Sequence, residues 1–515
     1  IPNPPMTYSQ EVFLKSGRDT IIYYEPIGVA TTNRLVVESY GIPPINLEKR
    51  LKYLTGYPHG CAEQTISRVF PLLYLGGIME LSDDFKTVNN TNIGIAIQKL
   101  YQMQAGSGGL YYWPSYRYVN NWVTSYAGQF LNQAKDKGYD IPAGMLDKWL
   151  SYQKSTARSW TPKYSTYGNY CTNCLDQSYR LYTLAEVGKA EIGAMNRLKE
   201  ADYKSDITKW NLAGAYLFAG QDKVAREIAY EAKKNLSNSQ TRYNNYGSSL
   251  RDKAMQLEVL HKLGEDGEAF KVARQISKNL SSTSWYSTHD IAFALKSMMM
   301  VYGNQNNKDV LAWEMNISSG EKVNYKQAKT VERYTVKQGR DGKLELSIRN
   351  IGDKDLNFSI SQSGIPLNHE TEAISHNLSL QVDYFLPNGN SLDVSKLSQG
   401  QDFYAEIKIA KVNGTIGCEN MALSQLFPAG WEIINTRLLG VQELDNSLSR
   451  PDYQDIRDDR VYTYFNMRYQ SSVKFKVRLN ATYAGKYFLP PVYVEDMYNI
   501  ETKAQNKGRW VEVIR

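Results

Sequence analysis

Apolar positions follow two different periods along this chain, and the period changes twice. From residue 1 to about 40 the sequence reads as strands. Thr20-Ile21-Ile22-Tyr23-Tyr24 and Arg34-Leu35-Val36-Val37-Glu38 are β-branched and aromatic runs separated by Gly28 and Asn33. Pro43 and Pro44 stop any strand, and Asn46 is the expected N-cap of a first helix. From about 46 to 302 the apolar residues recur at helical spacing. Ile66, Val69, Phe70 and Leu73 make one stripe, and Ile93, Ile97, Leu100 and Tyr101 another. Further helices are expected at about 122–138, 143–155, 174–187, 190–200, 206–219, 221–235, 248–263, 265–279 and 287–302. Short turns such as Ala219-Gly220-Gln221-Asp222 and Leu263-Gly264-Glu265-Asp266-Gly267 suggest stacked antiparallel hairpins, and this number of paired helices suits an α/α toroid.

After a polar hinge, Gly303-Asn304-Gln305-Asn306-Asn307-Lys308, the period returns to two. Leu344-Glu345-Leu346-Ser347-Ile348, Leu356-Asn357-Phe358-Ser359-Ile360, Ala405-Glu406-Ile407-Lys408-Ile409 and Val473-Lys474-Phe475-Lys476-Val477 alternate apolar and polar. A division is expected near residue 378. The part before it is expected to pair with the opening strands, so that the helices are an insertion into a β-sandwich.

The 515 residues allow two to four domains, each with its own core. Lys and Arg exceed Asp and Glu by only 60 − 53 = 7, without a basic cluster, so nucleic acid is not implied. Tyrosine is abundant and mean hydropathy is low, which suggests a soluble protein with wet, aromatic-rich surfaces. No apolar run is long enough to span a membrane. The chain opens at Ile1 with neither a starter Met nor a signal peptide, and is expected to be a fragment or processed piece.

Four cysteines are too few for a disulfide scaffold. Cys171-Thr172-Asn173-Cys174 is a lone C-x-x-C without the two further ligands a zinc site needs. It is open between a local disulfide, inert thiols and redox chemistry. Cys418 is expected in a core. No metal or cofactor is expected.

The chemistry concentrates at Tyr57-Pro58-His59-Gly60-Cys61-Ala62-Glu63-Gln64-Thr65. Cys61 and Gln64 are three residues apart where a Gly turn meets a helix start, which places both side chains on one face. A thiol facing a glutamine carbonyl can attack it, expel ammonia and close an internal thioester. An isolated C-x-x-Q is most often a small buried cysteine beside a solvated glutamine. Here the order of the flanking residues argues otherwise. An extended run at 35–40, Pro43-Pro44, a basic amphipathic turn at 49–54 and then the Cys61 stretch resemble the α2-macroglobulin and complement thioester proteins, in particular the bacterial α2-macroglobulins. Ala62 departs from the Gly or Leu usual there, but it contributes no ring atom. Gly106-Ser107-Gly108-Gly109-Leu110-Tyr111-Tyr112-Trp113, followed by Asn121-Trp122-Val123-Thr124-Ser125-Tyr126, is similar to the Gly-aromatic loop and following helix of thioester domains. Trp285-Tyr286-Ser287-Thr288-His289-Asp290 looks like that domain's last helix. Phe427-Pro428-Ala429-Gly430-Trp431-Glu432, Arg457-Asp458-Asp459-Arg460 and Gly485–Pro491 resemble a terminal macroglobulin-like domain.

The resemblance implies an α + β multidomain chain. Residues 1–42 and 304–378 would form a CUB-like β-sandwich, 43–303 an α/α toroid thioester domain inserted in it, and 379–515 a macroglobulin-like β-sandwich. It implies a protease inhibitor rather than an enzyme, with target proteases as partners captured through lysine amines. The setting would be periplasmic or cell-envelope associated, with any membrane anchor outside this chain. Gln64 would supply the acyl carbon and Cys61 the leaving thiolate. Tyr57 and Met497 would cover the bond. His59 and Glu63 are accessory candidates, His59 as a base and Glu63 as helix-start charge or a polariser. No histidine lies between His59 and His261, where complement-type proteins keep one that favours hydroxyl acceptors, so amines are the expected nucleophiles. The competing class is a polysaccharide lyase or glycosidase, which also joins a helical toroid to β-sandwiches but leaves the Cys61–Gln64 pair unexplained.

Overall fold

The computed structural model describes residues 6–114, 118–166, 170–202, 204–234, 246–303, 310–327, 330–366, 372–412, 417–435 and 447–515. The hinge expected at 304–308 lies outside the described residues. Contacts divide the chain into a unit over Pro5–Ile365 and another over Pro366–Arg515.

In the first unit, three strands precede the helices: β1 (Met6–Leu14), β2 (Asp19–Tyr24) and β3 (Arg34–Tyr40). Five follow them: β4 (Leu311–Ile317), β5 (Lys322–Gln327), β6 (Val331–Thr335), β7 (Leu344–Asn350) and β8 (Leu356–Gly364). They interleave in two antiparallel sheets, ordered β1-β8-β3-β6 and β2-β7-β4-β5. Val12 lies opposite Phe358, Val37 opposite Ile360 and Ile22 opposite Leu346. The apolar alternates Leu35, Val37, Trp313, Met315, Leu346, Ile348 and Phe358 form one core. The helical segment is therefore an insertion between β3 and β4.

That segment runs α1 (Leu47–Gly56), α2 (Ala62–Val69), α3 (Leu75–Ile78), α4 (Asp83–Gln102), α5 (Asn121–Asp136), α6 (Met145–Ser159), α7 (Cys174–Glu186), α8 (Ile192–Glu200), α9 (Asp206–Phe218), α10 (Asp222–Lys234), α11 (Ser249–Lys262), α12 (Asp266–Ser281) and α13 (Thr288–Gly303). Packing runs α2 to α5, α7, α9, α11, α13 and back to α2, which closes an inner ring. Helices α4, α6, α8, α10, α12 and α1 pack outside it. Burial follows this layering. Inner α9 is buried on almost every face from Ile207 to Tyr216, whereas outer α12 buries a single stripe of Ala269, Val272, Ala273, Ile276 and Leu280. In the second predicted stripe, Ile93, Ile97 and Leu100 are buried, but Tyr101, at the stripe's edge, is exposed.

Asn46 does occupy the N-cap position of α1, yet its side chain makes no capping bond. It sits at φ 50°, its Nδ2 donates to Ser9 Oγ, and its Oδ1 accepts from Ser359 Oγ, so it is spent on the sheet. The helix start is satisfied from β3 instead. Leu47 N–H donates to the Tyr40 hydroxyl at 2.9 Å and Glu48 N–H to Glu38 Oε1 at 3.0 Å. Glu38 is fully buried, and burial pushes its carboxyl up to about 7, with Glu48 adding to the rise and the Tyr40 hydrogen bond and Arg333 opposing it.

The second unit is all β: β9 (Ile374–His376), β10 (Leu378–Phe385), β11 (Lys396–Ser398), β12 (Asp402–Lys411), β13 (Met421–Leu426), β14 (Trp431–Ile433), β15 (Tyr453–Ile456), β16 (Arg460–Phe465), β17 (Ser472–Ala481), β18 (Gly485–Leu489), β19 (Tyr493–Asp496), β20 (Asn499–Gln505) and β21 (Arg509–Ile514). Three sheets, β10-β12-β17-β14, β11-β21-β18 and β15-β16-β13-β19-β20-β9, enclose a core that includes Phe403, Ile407, Phe475, Leu479 and Cys418. Residues 374–376, on the earlier side of the expected division near 378, form β9 and pair with β20.

Candidate reactive site

The turn between α1 and α2 is built from both ends. Tyr57 closes α1 through its N–H to Tyr53 O, and its carbonyl accepts from Arg68 Nη2 at 2.6 Å. The half-buried Tyr57 ring stands edge-on to His59, 5.1 Å between centroids. Cys61 then adopts an extended backbone, φ −63°, as N-cap of α2. Its Sγ accepts from Gln64 N–H at 3.4 Å, and its own N–H donates to Gln64 Oε1 at 3.2 Å. This is a capping box in which cysteine and glutamine take the places usually held by Ser or Thr and by Glu or Gln. The pair that the sequence singled out is thus brought together by the two residues' reciprocal bonds.

Burial around the pair is close to complete. Cys61, Ala62 and Glu63 are 0% exposed, His59 1% and Gln64 3%. Ala62 N–H, an orphan donor of the first turn, is taken by Tyr112 O at 2.9 Å. The Tyr112 ring stacks on Tyr246 at 5.1 Å and 16°. Burial, then the nearby Cys61, holds both phenols well above the ordinary tyrosine range.

Glu63 is bonded to two hydroxyls. It accepts from Ser67 Oγ and, at 3.3 Å, from Thr288 Oγ1, while Ser67 Oγ lies 3.2 Å from Tyr126 OH. The carboxylate therefore ties α2 to α5 and α13. One residue on, His289 is fully buried among Trp122, Tyr126, Tyr246 and Phe293. Its Nε2 accepts from Trp122 Nε1 at 2.9 Å, so the neutral ring carries its proton on Nδ1. Burial, then Arg251, keeps its pKa well below the ordinary value. In the sequence, Tyr112 and His289 stand within the Gly-aromatic and last-helix motifs with no role attached to either, and Tyr246 stands in no motif. The Gly-aromatic loop carried the usable signal for Tyr112. A Cβ on Gly108, at φ 98°, would lie 2.1 Å from Lys148 O, and one on Gly109 would lie 2.4 Å from Val119, so only glycines let this loop approach.

Met497 belongs to the second unit, in the turn between β19 and β20, where it is buried and its N–H reaches Asn420 O at 3.3 Å. Cys171 and Cys174 are joined in a disulfide at the start of α7. Among the described residues no group of three His, Cys, Asp or Glu could hold a metal ion, and no helix is long and apolar enough to cross a membrane.

Comparison with known proteins gives a consistent result across the chain. Residues 378–501 match the family described as the bacterial α2-macroglobulin MG10 domain. The α2-macroglobulin of Escherichia coli K12 is 26% identical over 513 residues, covering 92% of this chain and 29% of that protein. The chain is homologous to the C-terminal region of the bacterial α2-macroglobulins. A Yersinia pestis α2-macroglobulin homolog is 23% identical, covering 89% of this chain and 24% of that protein. The chain thus spans less than a third of these α2-macroglobulins. The fold matches a crystal structure of native E. coli α2-macroglobulin spanning domain MG7 to the C-terminus, with a TM-score of 0.82 and 23% identity, over 99% of this chain and 82% of that one. It also matches a Salmonella α2-macroglobulin reacted with methylamine, with a TM-score of 0.82 and 22% identity, over 99% of this chain and 34% of that one. Both share the mixed architecture of helices and antiparallel sheets.

Proposed function

We propose that Cys61 and Gln64 close an internal thioester, and that this chain is the acyl-donating part of an α2-macroglobulin-like inhibitor that captures attacking proteases covalently. One observation carries the reading: the reciprocal capping of Cys61 and Gln64, both of them buried. In ring closure, Sγ attacks the Gln64 side-chain carbonyl carbon and ammonia leaves. In capture, a lysine amine of the protease attacks the same carbon, the C–S bond breaks and an isopeptide bond remains. Activation is completed when the ring closes, so shielding decides its lifetime.

Tyr57 supplies cover from the same turn, and Met497, a residue of the second unit, is the further shielding candidate that the family resemblance implies. Neither histidine serves as a hydroxyl-directing base: His59 packs on Tyr57, and His289 is held neutral against Trp122. Amines are therefore the preferred acceptors. The Cys171–Cys174 disulfide supports an oxidising, extracytoplasmic setting such as the periplasm.

The test is methylamine, the amine with which the Salmonella relative was reacted. Native protein should release one thiol per chain on exposure to it, and matched amine and glycerol acceptors should give mostly amide. Tyr57→Ala should raise the rate more than Met497→Ala. Absence of methylamine-dependent thiol release would overturn the reading.

A further inference from the structure

We propose that the loop between β6 and β7 and the turn between β4 and β5 form a binding site for the phosphate group of a phosphomonoester. The site belongs to the β-sandwich that hosts the helices and does not depend on the thioester reading. A cavity of about 430 Å³ lies there, lined by Ser318 and Ser319 of the turn and by Lys337, Arg340, Asp341 and Lys343 of the loop. That volume is in the range of small-molecule sites.

Its cations are left over, because the carboxylates around it are engaged elsewhere. Asp341 accepts from Thr31 N–H at 3.0 Å and from Asn33 Nδ2 at 2.8 Å. Glu321 accepts from the Tyr334 hydroxyl at 2.6 Å and from Lys337 N–H at 3.0 Å. Glu25 is paired with Lys343. Among the described residues, neither the Lys337 ammonium nor the Arg340 guanidinium has an ion-pair or hydrogen-bond partner. Two hydroxyls add to these donors. Ser319 Oγ is buried without a hydrogen-bond partner, and a buried polar atom of that kind calls for an occupant that can bond it. Ser318 Oγ accepts from Glu345 N–H at 3.0 Å, which leaves its own proton to donate.

Both walls are held by the backbone. The Tyr24 hydroxyl donates to Arg340 O at 2.7 Å, Gly342 N–H to Gly339 O at 2.9 Å, and Ser318 N–H to Glu345 O at 3.0 Å. Gly339 sits at φ 74°, and a Cβ there would lie 3.1 Å from Ser319 Cβ, so glycine lets the loop approach the turn. A carboxylate offers two oxygens in one plane, whereas a phosphomonoester offers three around a tetrahedral centre. Three suit a guanidinium fork, an ammonium and hydroxyls placed on different walls. The charge suits as well, two free cations meeting a group of about −1.5 to −2 at neutral pH. The cavity is larger than a phosphate group alone and leaves room beside Leu344 for the organic part.

Isothermal titration calorimetry with glycerol phosphate at low ionic strength should show one saturable site per chain, weakened by added salt. Arg340→Gln removes the fork and keeps the carbonyl that holds Tyr24, so the loop stays in place and affinity should fall about tenfold or more. Lys337→Gln should weaken binding as well, whereas Lys486→Gln, a charge of the second unit, should leave it unchanged. Phosphatidylcholine vesicles carrying phosphatidic acid, a lipid phosphomonoester, tell two sources of the phosphate apart. Vesicle binding that is lost in R340Q supports the site and assigns the phosphate to a lipid headgroup. Binding of glycerol phosphate without vesicle binding supports it and assigns the phosphate to a soluble molecule. Saturable binding of neither probe overturns the proposal. So does an R340Q that binds like wild type, or a K486Q that is weakened as much.

Discussion

Helices α1 and α2 follow one another in sequence and face the same problem, a buried first turn with unpaired N–H groups, yet they solve it in opposite ways. At α1 the residue in the capping position is diverted to Ser9 and Ser359, and the cap is supplied by Glu38 and Tyr40 of the sandwich. At α2 the cap is local, Cys61 and Gln64 serving each other. The borrowed cap fastens the helical insertion to its host sheet. The local cap holds two groups that can react in contact with one another. Capping thus does structural service in one helix and, on the proposed reading, poises chemistry in the next.

The comparison can be broken most completely at Gln64. Gln64→Glu keeps an acceptor for the Cys61 N–H but has no ammonia to expel. Methylamine-dependent thiol release should vanish, while circular dichroism stays that of wild type. The borrowed cap offers the next largest effect, through pH. Glu38 ionises near 7 when folded and near its ordinary 4.5 when unfolded. Its contribution is fully present below 4.5 and lost as pH rises to 7, by about 3 kcal/mol in all. Wild type should lose that much relative to Glu38→Gln across this window in urea titrations. Tyr40→Phe strands the Leu47 N–H in a buried position, and unfolding free energy should fall by about 1–3 kcal/mol. The smallest effect is expected for Asn46→Gly. Glycine accepts the φ of 50° without strain, but the bonds to Ser9 and to the buried Ser359 hydroxyl are lost, a change of about 1–2 kcal/mol. A larger loss there would mean that Asn46, not Glu38 and Tyr40, secures α1.

The same contrast shows what the sequence could reveal. The local cap was legible because its members are three residues apart, and helix geometry does the rest. The borrowed cap was not, since Glu38 and Tyr40 reach α1 only through the path of β3 past the helix start. Helix spans from α5 to α13 followed from apolar spacing to within a few residues. So did the pairing of the opening strands with those after the helices, where alternation is strong in Leu344–Ile348 and Leu356–Ile360. Tyr112, Tyr246 and His289 lie 51, 185 and 228 positions beyond Cys61 in the chain. Closure of the inner ring draws His289 and Tyr246 together with Tyr112 beneath α2, and no local pattern encodes that. Glu63 was open between helix-start charge and polariser. Its bonds to Ser67, one turn on in α2, and to Thr288 of α13 give it a part in joining the inner helices.

The most direct test of the Cys61–Gln64 bond is the intact mass of the native chain before and after methylamine. A closed ring gives a mass one ammonia below that encoded, rising by one methylamine on reaction, with the added group on Gln64 and a newly titratable thiol on Cys61. A native chain at its encoded mass, unchanged by methylamine and with the Cys61 thiol already reactive once denatured, would contradict it.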